Sequence, residues 1–234
     1  MNKEEFIYEL EKINIILSKK QIQQLDLYYM LLKEWNEKIN LTAIIEEKQV
    51  YLKHFYDSIT LSKIIDLNRT ISLCDIGTGA GFPGIVLKIV FPSLKITLVD
   101  SLNKRINFLN LVIEKLELKD ITAVHGRMEE YAKNHIEEFD IITARAVSHL
   151  SNLLEYGAAA CKIDGNLIFM KSEVEEELKE AKNAIEVLNL KIDKVETFNL
   201  PFEQSKRTIV SIKKVAKTPN KYPRKFSEIK KNRL

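Results

Sequence analysis

Four glycines fall within eight residues in the stretch Ile-Ser-Leu-Cys-Asp-Ile-Gly-Thr-Gly-Ala-Gly-Phe-Pro-Gly, residues 71–84, of a chain that has only seven. An apolar run, Ile71 to Ile76, enters the glycines, and a helical pattern, Phe82 to Phe91, leaves them. That order reads as strand, tight turn and helix. Glycine permits positive φ, and its missing Cβ lets a ligand approach the backbone. A nucleotide-like cofactor can therefore lie across this turn, near the helix N-terminus. Lys95–Asp100 then reads as a second strand that ends in a carboxylate. An acid there is placed to hold ribose hydroxyls.

Gly79-Ala-Gly81-Phe-Pro-Gly84 matches the dinucleotide fingerprint in form, but two details lean away from NAD. Asp75 precedes the first glycine, giving Asp-x-Gly-x-Gly-x-Gly, which resembles the S-adenosylmethionine (SAM) loop of class I methyltransferases. Pro83 removes an amide donor where a dinucleotide helix would meet pyrophosphate, and SAM has no phosphate to miss it. No lysine follows Gly84, which excludes a Walker A loop. A purely structural turn would leave both the density of glycines and the downstream Asp100 unexplained.

Residues 1–66 read as helices. Ser18 and Gln21 form a capping-box pair. After it Ile22, Leu25, Tyr29, Leu32, Trp35 and Ile39 repeat at helical spacing, and Asn40 suits the left-handed end of that helix. A further helix comes after Glu46, with Val50, Phe55 and Ile59 on its buried side. These stripes need a partner, so the segment is expected to pack on the domain C-terminal to it. From residue 71 the pattern alternates. Strands are expected at 71–76, 95–100, 121–125, 139–144 and 165–170, with helices near 83–91, 103–117, 149–160 and 174–188. Two last strands, 191–198 and 207–213, are separated only by Asn199–Lys206, too short for a helical crossover, so they form an antiparallel hairpin. The expectation is an α/β chain with a Rossmann-like sheet of the class I SAM-dependent methyltransferase kind, closing in that hairpin. Its parts are an N-terminal helical extension (1–66), a cofactor-binding domain (67–214) and a basic tail (215–234).

Charge sharpens the view of the tail. Residues 213–234 carry seven lysines, two arginines and one glutamate, a net +8 in a chain of net +3, so the preceding residues hold a net −5. A basic end on an acidic body suggests phosphate contact, and Tyr222, Pro223 and Phe226 interleave aromatic and cyclic groups suited to nucleic acid. A merely solubilising end is the competing reading. No apolar run reaches membrane-span length and Met-Asn-Lys-Glu-Glu is no signal peptide, so a cytoplasmic protein is expected. Cys74 and Cys161 make no metal-ligand pattern, and no metal is expected. Cys74 reads as a core residue, and Cys161 sits in a helix-like stretch.

Several motifs together resemble one family over nearly the whole chain: the bacterial small-subunit ribosomal RNA guanine-N7 methyltransferases, RsmG or GidB. They are Glu34-Trp-Asn-x-Lys38-x-Asn40-Leu-Thr42, Lys53-His54, Asp57-Ser58 and the loop Asp75 to Gly84. They continue with Val99-Asp100-Ser101-x-x-Lys104-Arg105, Arg127-Met-Glu129, Thr143-Ala-Arg145-Ala-Val147 and Lys221-Tyr-Pro-Arg-Lys225. After Lys225 the chain departs from the family's usual Gly/Pro-containing ending. The resemblance implies methyl transfer from SAM to nitrogen 7 of a guanine in the 530 loop of 16S ribosomal RNA, with that RNA or the small ribosomal subunit as partner. It implies Gly77 and Phe82 on the methionine and sulfonium side, Gly79 at the cofactor, and Asp100, with Ser101 and Leu102, on the ribose. It implies Met128 and Glu129 beside the adenine, and Arg145 at the SAM site.

Arg145 also stands out by itself, in the apolar run Ile141 to Val147. A buried cation needs a partner, for which a ligand carboxylate or an RNA phosphate would serve. Substrate-side candidates are Asn40, His54, Arg127, Lys171 and Arg224; Lys104 and Arg105 read more simply as a solvated helix start. Guanine nitrogen 7 has an in-plane lone pair and no proton. Its methylation needs alignment, which can supply roughly 7–11 kcal/mol, and no general base. No catalytic acid or base is therefore nominated, and a hydrogen-bonded structural role competes for His54. Two other function classes stay open: an NAD-dependent dehydrogenase, and a non-catalytic RNA-binding assembly factor on a SAM fold.

Overall fold

β1 (Ser72–Ile76) lies near the middle of a seven-stranded sheet in the computed structural model, which describes residues 1–234. The other strands are β2 (Lys95–Asp100), β3 (Ile121–His125), β4 (Phe139–Arg145), β5 (Cys161–Lys171), β6 (Leu190–Asn199) and β7 (Lys206–Lys214). Their order is β3-β2-β1-β4-β5-β7-β6. The first five run parallel; β7 is antiparallel to β5 and β6 antiparallel to β7. The expected terminal hairpin is present, and the sheet is that of the class I SAM-dependent methyltransferase fold.

The pleat sends alternate residues to opposite faces. Leu73, Leu98, Ile141 and Ile168 meet one helical layer, while Cys74, Val99, Ile142 and Leu167 meet the other. The first layer contains α1 (Lys3–Glu11), α2 (Lys19–Ile39) and the helices after β1 and β2, α5 (Gly84–Val90) and α6 (Asn103–Lys115). The N-terminal helices thus share one core with the sheet. Polar contacts add to this: the Gln21 amide donates to the carbonyls of Ile89 (2.8 Å) and Val90 (3.0 Å), and Gln24 to that of Leu116 (2.7 Å). Free carbonyls at two helix ends are satisfied in this way. Ser18 and Gln21 make the expected capping box, and Asn40 ends α2 at φ 49°.

The second layer is α7 (Met128–Asn134), α8 (Leu150–Gly157), α9 (Glu175–Glu180), α10 (Lys182–Val187) and α11 (Phe226–Lys231). Several elements differ from the sequence expectation. The single helix expected at 174–188 breaks at Ala181 into α9 and α10. Cys161 begins β5 instead of lying in a helix; it is buried, and burial pushes its thiol up to about 12. The helix after Glu46 changes geometry along its length: α3 (Glu47–Val50), a π-helical stretch (Tyr51–Tyr56), α4 (Asp57–Ile59) and a 3-10 turn (Thr60–Lys63). In residues 215–234, read as a tail beyond the sheet, α11 seats on α8 with Ile229 fully buried.

Candidate functional site

In an open parallel sheet, ligands bind beyond the strand C-termini where the strand order reverses. Here that point lies between β1 and β4. The loop after β1 holds Gly77, Gly79 and Gly81 at φ 65°, 63° and 99°, a region where side-chain-bearing residues are strained. Asp75 organises it from below. Its Oδ2 accepts from the Thr78 hydroxyl (2.6 Å) and the Gly84 amide (2.9 Å). Its Oδ1 is buried without a partner, and burial raises the carboxyl to about 7. From α2, Tyr28 donates its hydroxyl to the Ala80 carbonyl.

Asp100, at the end of β2, ties this loop to its own strand. Oδ2 accepts from the Gly79 amide (2.9 Å) and from Arg105 Nη1 (3.1 Å), and Oδ1 accepts from the Leu102 amide (2.9 Å). Arg105, read from sequence as a solvated helix start, is thus engaged. A carboxylate offers about four lone-pair sites, so Asp100 retains capacity for a hydroxyl donor.

A cavity of about 360 Å³ opens at this edge. Gly77, Asp100, Ser101, Met128, Glu129 and Arg127 line it, with Asn152 and Tyr156 from α8 and Phe226 and Lys230 from α11. Glu129 is buried with Oε1 unpartnered, and burial raises its pKa. An unpaired buried acceptor in a cavity wall suits a ligand that brings a hydrogen-bond donor. At Gly126 an added Cβ would meet nothing within 4 Å. An acid at the strand end, an unpaired acceptor and an open glycine fit a nucleoside-bearing cofactor. Of the residues expected at the cofactor, Gly79, Phe82, Leu102 and Arg145 do not line this cavity. Gly79 is joined to it through Asp100, and Leu102 is exposed at the start of α6.

Phe82 and Arg145 belong to a neighbouring system. A second cavity, of about 470 Å³, is lined by Lys53, His54, Asp57, Arg145, Lys171 and Arg207 among others. Arg145 donates to the Lys53 carbonyl (2.6 Å), to Asp57 Oδ2 (3.1 Å) and to His54 Nδ1 (3.0 Å). The expectation that Arg145 needs a ligand anion is corrected: Asp57 is its counter-charge. Asp57 Oδ1 accepts in turn from Arg207 Nε (3.2 Å). The π-helical stretch and the adjoining α4 bring Lys53, His54 and Asp57 to this point; π-helical turns recur at functional sites.

A guanidinium can only donate, so His54 accepts at Nδ1 and carries its proton on Nε2, 2.9 Å from the Thr42 hydroxyl. Burial, then the Arg145 charge, lowers its pKa to about 3. The neutral ring stacks on Phe82 at 4.4 Å between centroids, and Arg145 lies over the same phenyl ring at 5.1 Å. Lys171 donates to the Ser148 carbonyl (2.6 Å) and to Glu177 (2.7 Å). The loop after β4 parts the two cavities: Val147 and Ser148 line the first and Ala146 the second.

Two substrate candidates lie in neither cavity. Asn40 is an exposed helix cap. Arg224 holds Glu155 with Nε (2.8 Å) and Nη2 (2.7 Å), so its charge is spent within the fold. Sequence reasoning did not nominate Asp57, Arg207, Phe226 or Lys230. Asp57 stood inside a quoted motif and Phe226 was read only as an aromatic of the basic tail; Arg207 and Lys230 had no local signal. No group of three or more His, Cys, Asp or Glu side chains is placed to hold a metal ion, and no helix is long and apolar enough to cross a membrane.

Residues 21–210 match the family described as GidB, rRNA small subunit methyltransferase G. A ribosomal RNA small subunit methyltransferase G from Bacillus cytotoxicus is 51% identical over 228 residues, covering 96% of this chain and 95% of that relative. One from Oceanobacillus iheyensis is 50% identical and covers 96% of each. Among solved structures, a SAM-dependent methyltransferase from Aquifex aeolicus superposes with a TM-score of 0.55 at 19% identity, over 78% of this chain and 98% of that one. A precorrin-6y C5,15-methyltransferase from Geobacter metallireducens gives 0.54 at 15% identity, over 73% and 90%. These two likenesses concern the fold alone.

Proposed function

The chain belongs to the rRNA small subunit methyltransferase G family, and from that premise we propose that it transfers the methyl group of SAM to nitrogen 7 of a guanine in the 530 loop of 16S ribosomal RNA. The observation that carries the reading is the pair of adjoining cavities at the β1/β4 switch point, parted by the loop after β4. Asp100, Glu129 and the glycine loop would hold the cofactor in the first. The second, with its cations and the His54–Phe82 stack, would receive the nucleotide. SAM supplies a methyl group already activated on a sulfonium.

With SAM held in the first cavity and the guanine in the second, its carbon–sulfur bond would break as the bond to nitrogen 7 forms, giving S-adenosylhomocysteine and a cationic guanine. No proton has to leave. His54 agrees with that chemistry: one nitrogen accepts from Arg145, the other faces Thr42, and the ring stays neutral. The residues here position and desolvate; none serves as a base. A loop nucleotide can be unstacked for in-line approach, as RNA-modifying sites require. Such a substrate implies a cytoplasmic enzyme working on the RNA or the small subunit.

Mapping 7-methylguanosine in 16S RNA from cells with and without the protein tests this directly. Loss of one such site in the 530 loop is the expected result, and an unchanged map would refute it. Titration with labelled SAM and with NAD separates methyl from hydride transfer. SAM binding without any methylated RNA product would favour the assembly-factor reading.

A further inference from the structure

The basic end of the chain does not extend away from the body. Pro223 and Ile229 are buried, and Arg224 is fastened to Glu155, itself 1% exposed, through Nε, Nη2 and its backbone amide. Nη2 also donates to the Asn232 carbonyl at 3.0 Å, which closes the segment around α11. Glu155 lies on α8, the helix that sends Asn152 and Tyr156 into the first cavity. Just beyond this anchor, Phe226 and Lys230 complete the wall of the same cavity. Arg127, which lines the same cavity, lies over the Phe226 ring with its guanidinium carbon 4.0 Å from the centroid. A cation over an aromatic face in this range is attractive.

From this geometry we infer that residues 222–234 are a strap over the cofactor cavity, with Phe226 and Lys230 as cofactor-contacting residues and Arg224–Glu155 as the latch that seats them. The inference rests on the first cavity being the SAM site. Two things separate it from a phosphate-gripping tail. The one tail guanidinium tied to a buried carboxylate cannot also hold a phosphate with the same nitrogens. Of the two tail aromatics, Phe226 is already engaged by Arg127 and lines the cavity. A ring at a cavity mouth removes ligand surface from water, and Lys230 brings a cation to a wall that also carries Asp100 and Glu129.

Full-length F226A and R224A variants test this by calorimetric titration with SAM, beside RNA binding measured across a salt series. F226A should weaken SAM binding about tenfold, since it deletes an aromatic wall. R224A should weaken it in the same direction although Arg224 lies outside the cavity, and R224K should recover part of the loss. The salt slope of RNA binding should stay that of the unaltered chain. Circular dichroism confirms that each variant is folded, and F226A, a half-buried surface position, keeps the test open if R224A is not. Undiminished SAM affinity in F226A would overturn the strap, and a flatter salt slope for RNA in R224A would restore an RNA-binding tail. Absence of SAM binding by the unaltered chain would instead overturn the cofactor reading, and the strap with it.

Discussion

Arg145, at the end of β4, meets Asp57 across 88 residues of sequence, with 3.1 Å between Nη1 and Oδ2. Asp57 is 4% exposed and also accepts from Arg207, so one carboxylate compensates two guanidinium groups. Removing one partner of a buried pair leaves an uncompensated charge, which costs about 3–5 kcal/mol. D57A should therefore lower stability to unfolding by urea by about that amount, towards the lower end because Arg207 is partly exposed. D57N, which keeps an acceptor, should lose less. Equal stability of D57A and the unaltered chain would show that water already satisfies both arginines.

His54 should show no titration between pH 5 and 8. Its pKa is lowered to about 3 by burial and by Arg145. Nitrogen-correlated NMR spectra should report a neutral ring with the proton on Nε2 throughout. A midpoint near the ordinary 6.5 would mean that Arg145 is not held against Nδ1.

Asp75 gives a pH dependence of the opposite sense. Burial holds its carboxyl at about 7 against an ordinary 3.8, so the native state binds the extra proton. Its contribution to stability is full below pH 3.8 and is lost as pH rises toward 7. D75N cannot titrate, so its melting temperature should gain on that of the unaltered chain from pH 4 to 7 and then run parallel. A constant difference across that range would refute the shifted carboxyl.

Two glycines of the same loop should fail in different ways. At Gly84 an added Cβ would lie 2.3 Å from Leu98 Cδ2 and 2.9 Å from Asp75 Oδ2, so G84A should destabilise by about 1–3 kcal/mol through overpacking. At Gly79 the nearest atom, the Gly77 carbonyl oxygen, is 4.0 Å away, but φ is 63°. G79V should fold, with a left-handed backbone strained by a β-branched side chain, and lose SAM binding. Normal SAM affinity in a folded G79V protein would make the turn purely structural.

D100A should weaken SAM binding by about 1.5–3 kcal/mol, roughly ten- to a hundred-fold, the range for a lost hydrogen bond to a charged group. It also frees the Gly79 amide and Arg105. D100N, which keeps one acceptor, should lose less. Calorimetry on folded protein checks both, and an unchanged dissociation constant would remove Asp100 from the cofactor site.

The parts legible in the sequence were those set by local rules. Clustered glycines announced a loop that needs positive φ, and all three at 77, 79 and 81 adopt it. The capping box at Ser18 and the left-handed stop at Asn40 were likewise readable, because caps are satisfied within a few residues. The closing hairpin followed from a connection too short for a crossover. What stayed hidden depended on contacts between residues far apart in the chain. Arg145 announced that a buried cation needs a partner, but only the packing of residues 47–63 against β4 made that partner Asp57, and β7 brought in Arg207 from 150 residues away. The tail announced charge, and charge alone suggested phosphate; Glu155, 69 residues earlier, turned Arg224 inward and Phe226 into a cavity wall. Local backbone preference is written residue by residue. The partner of a charge is decided by which surfaces meet when the core closes.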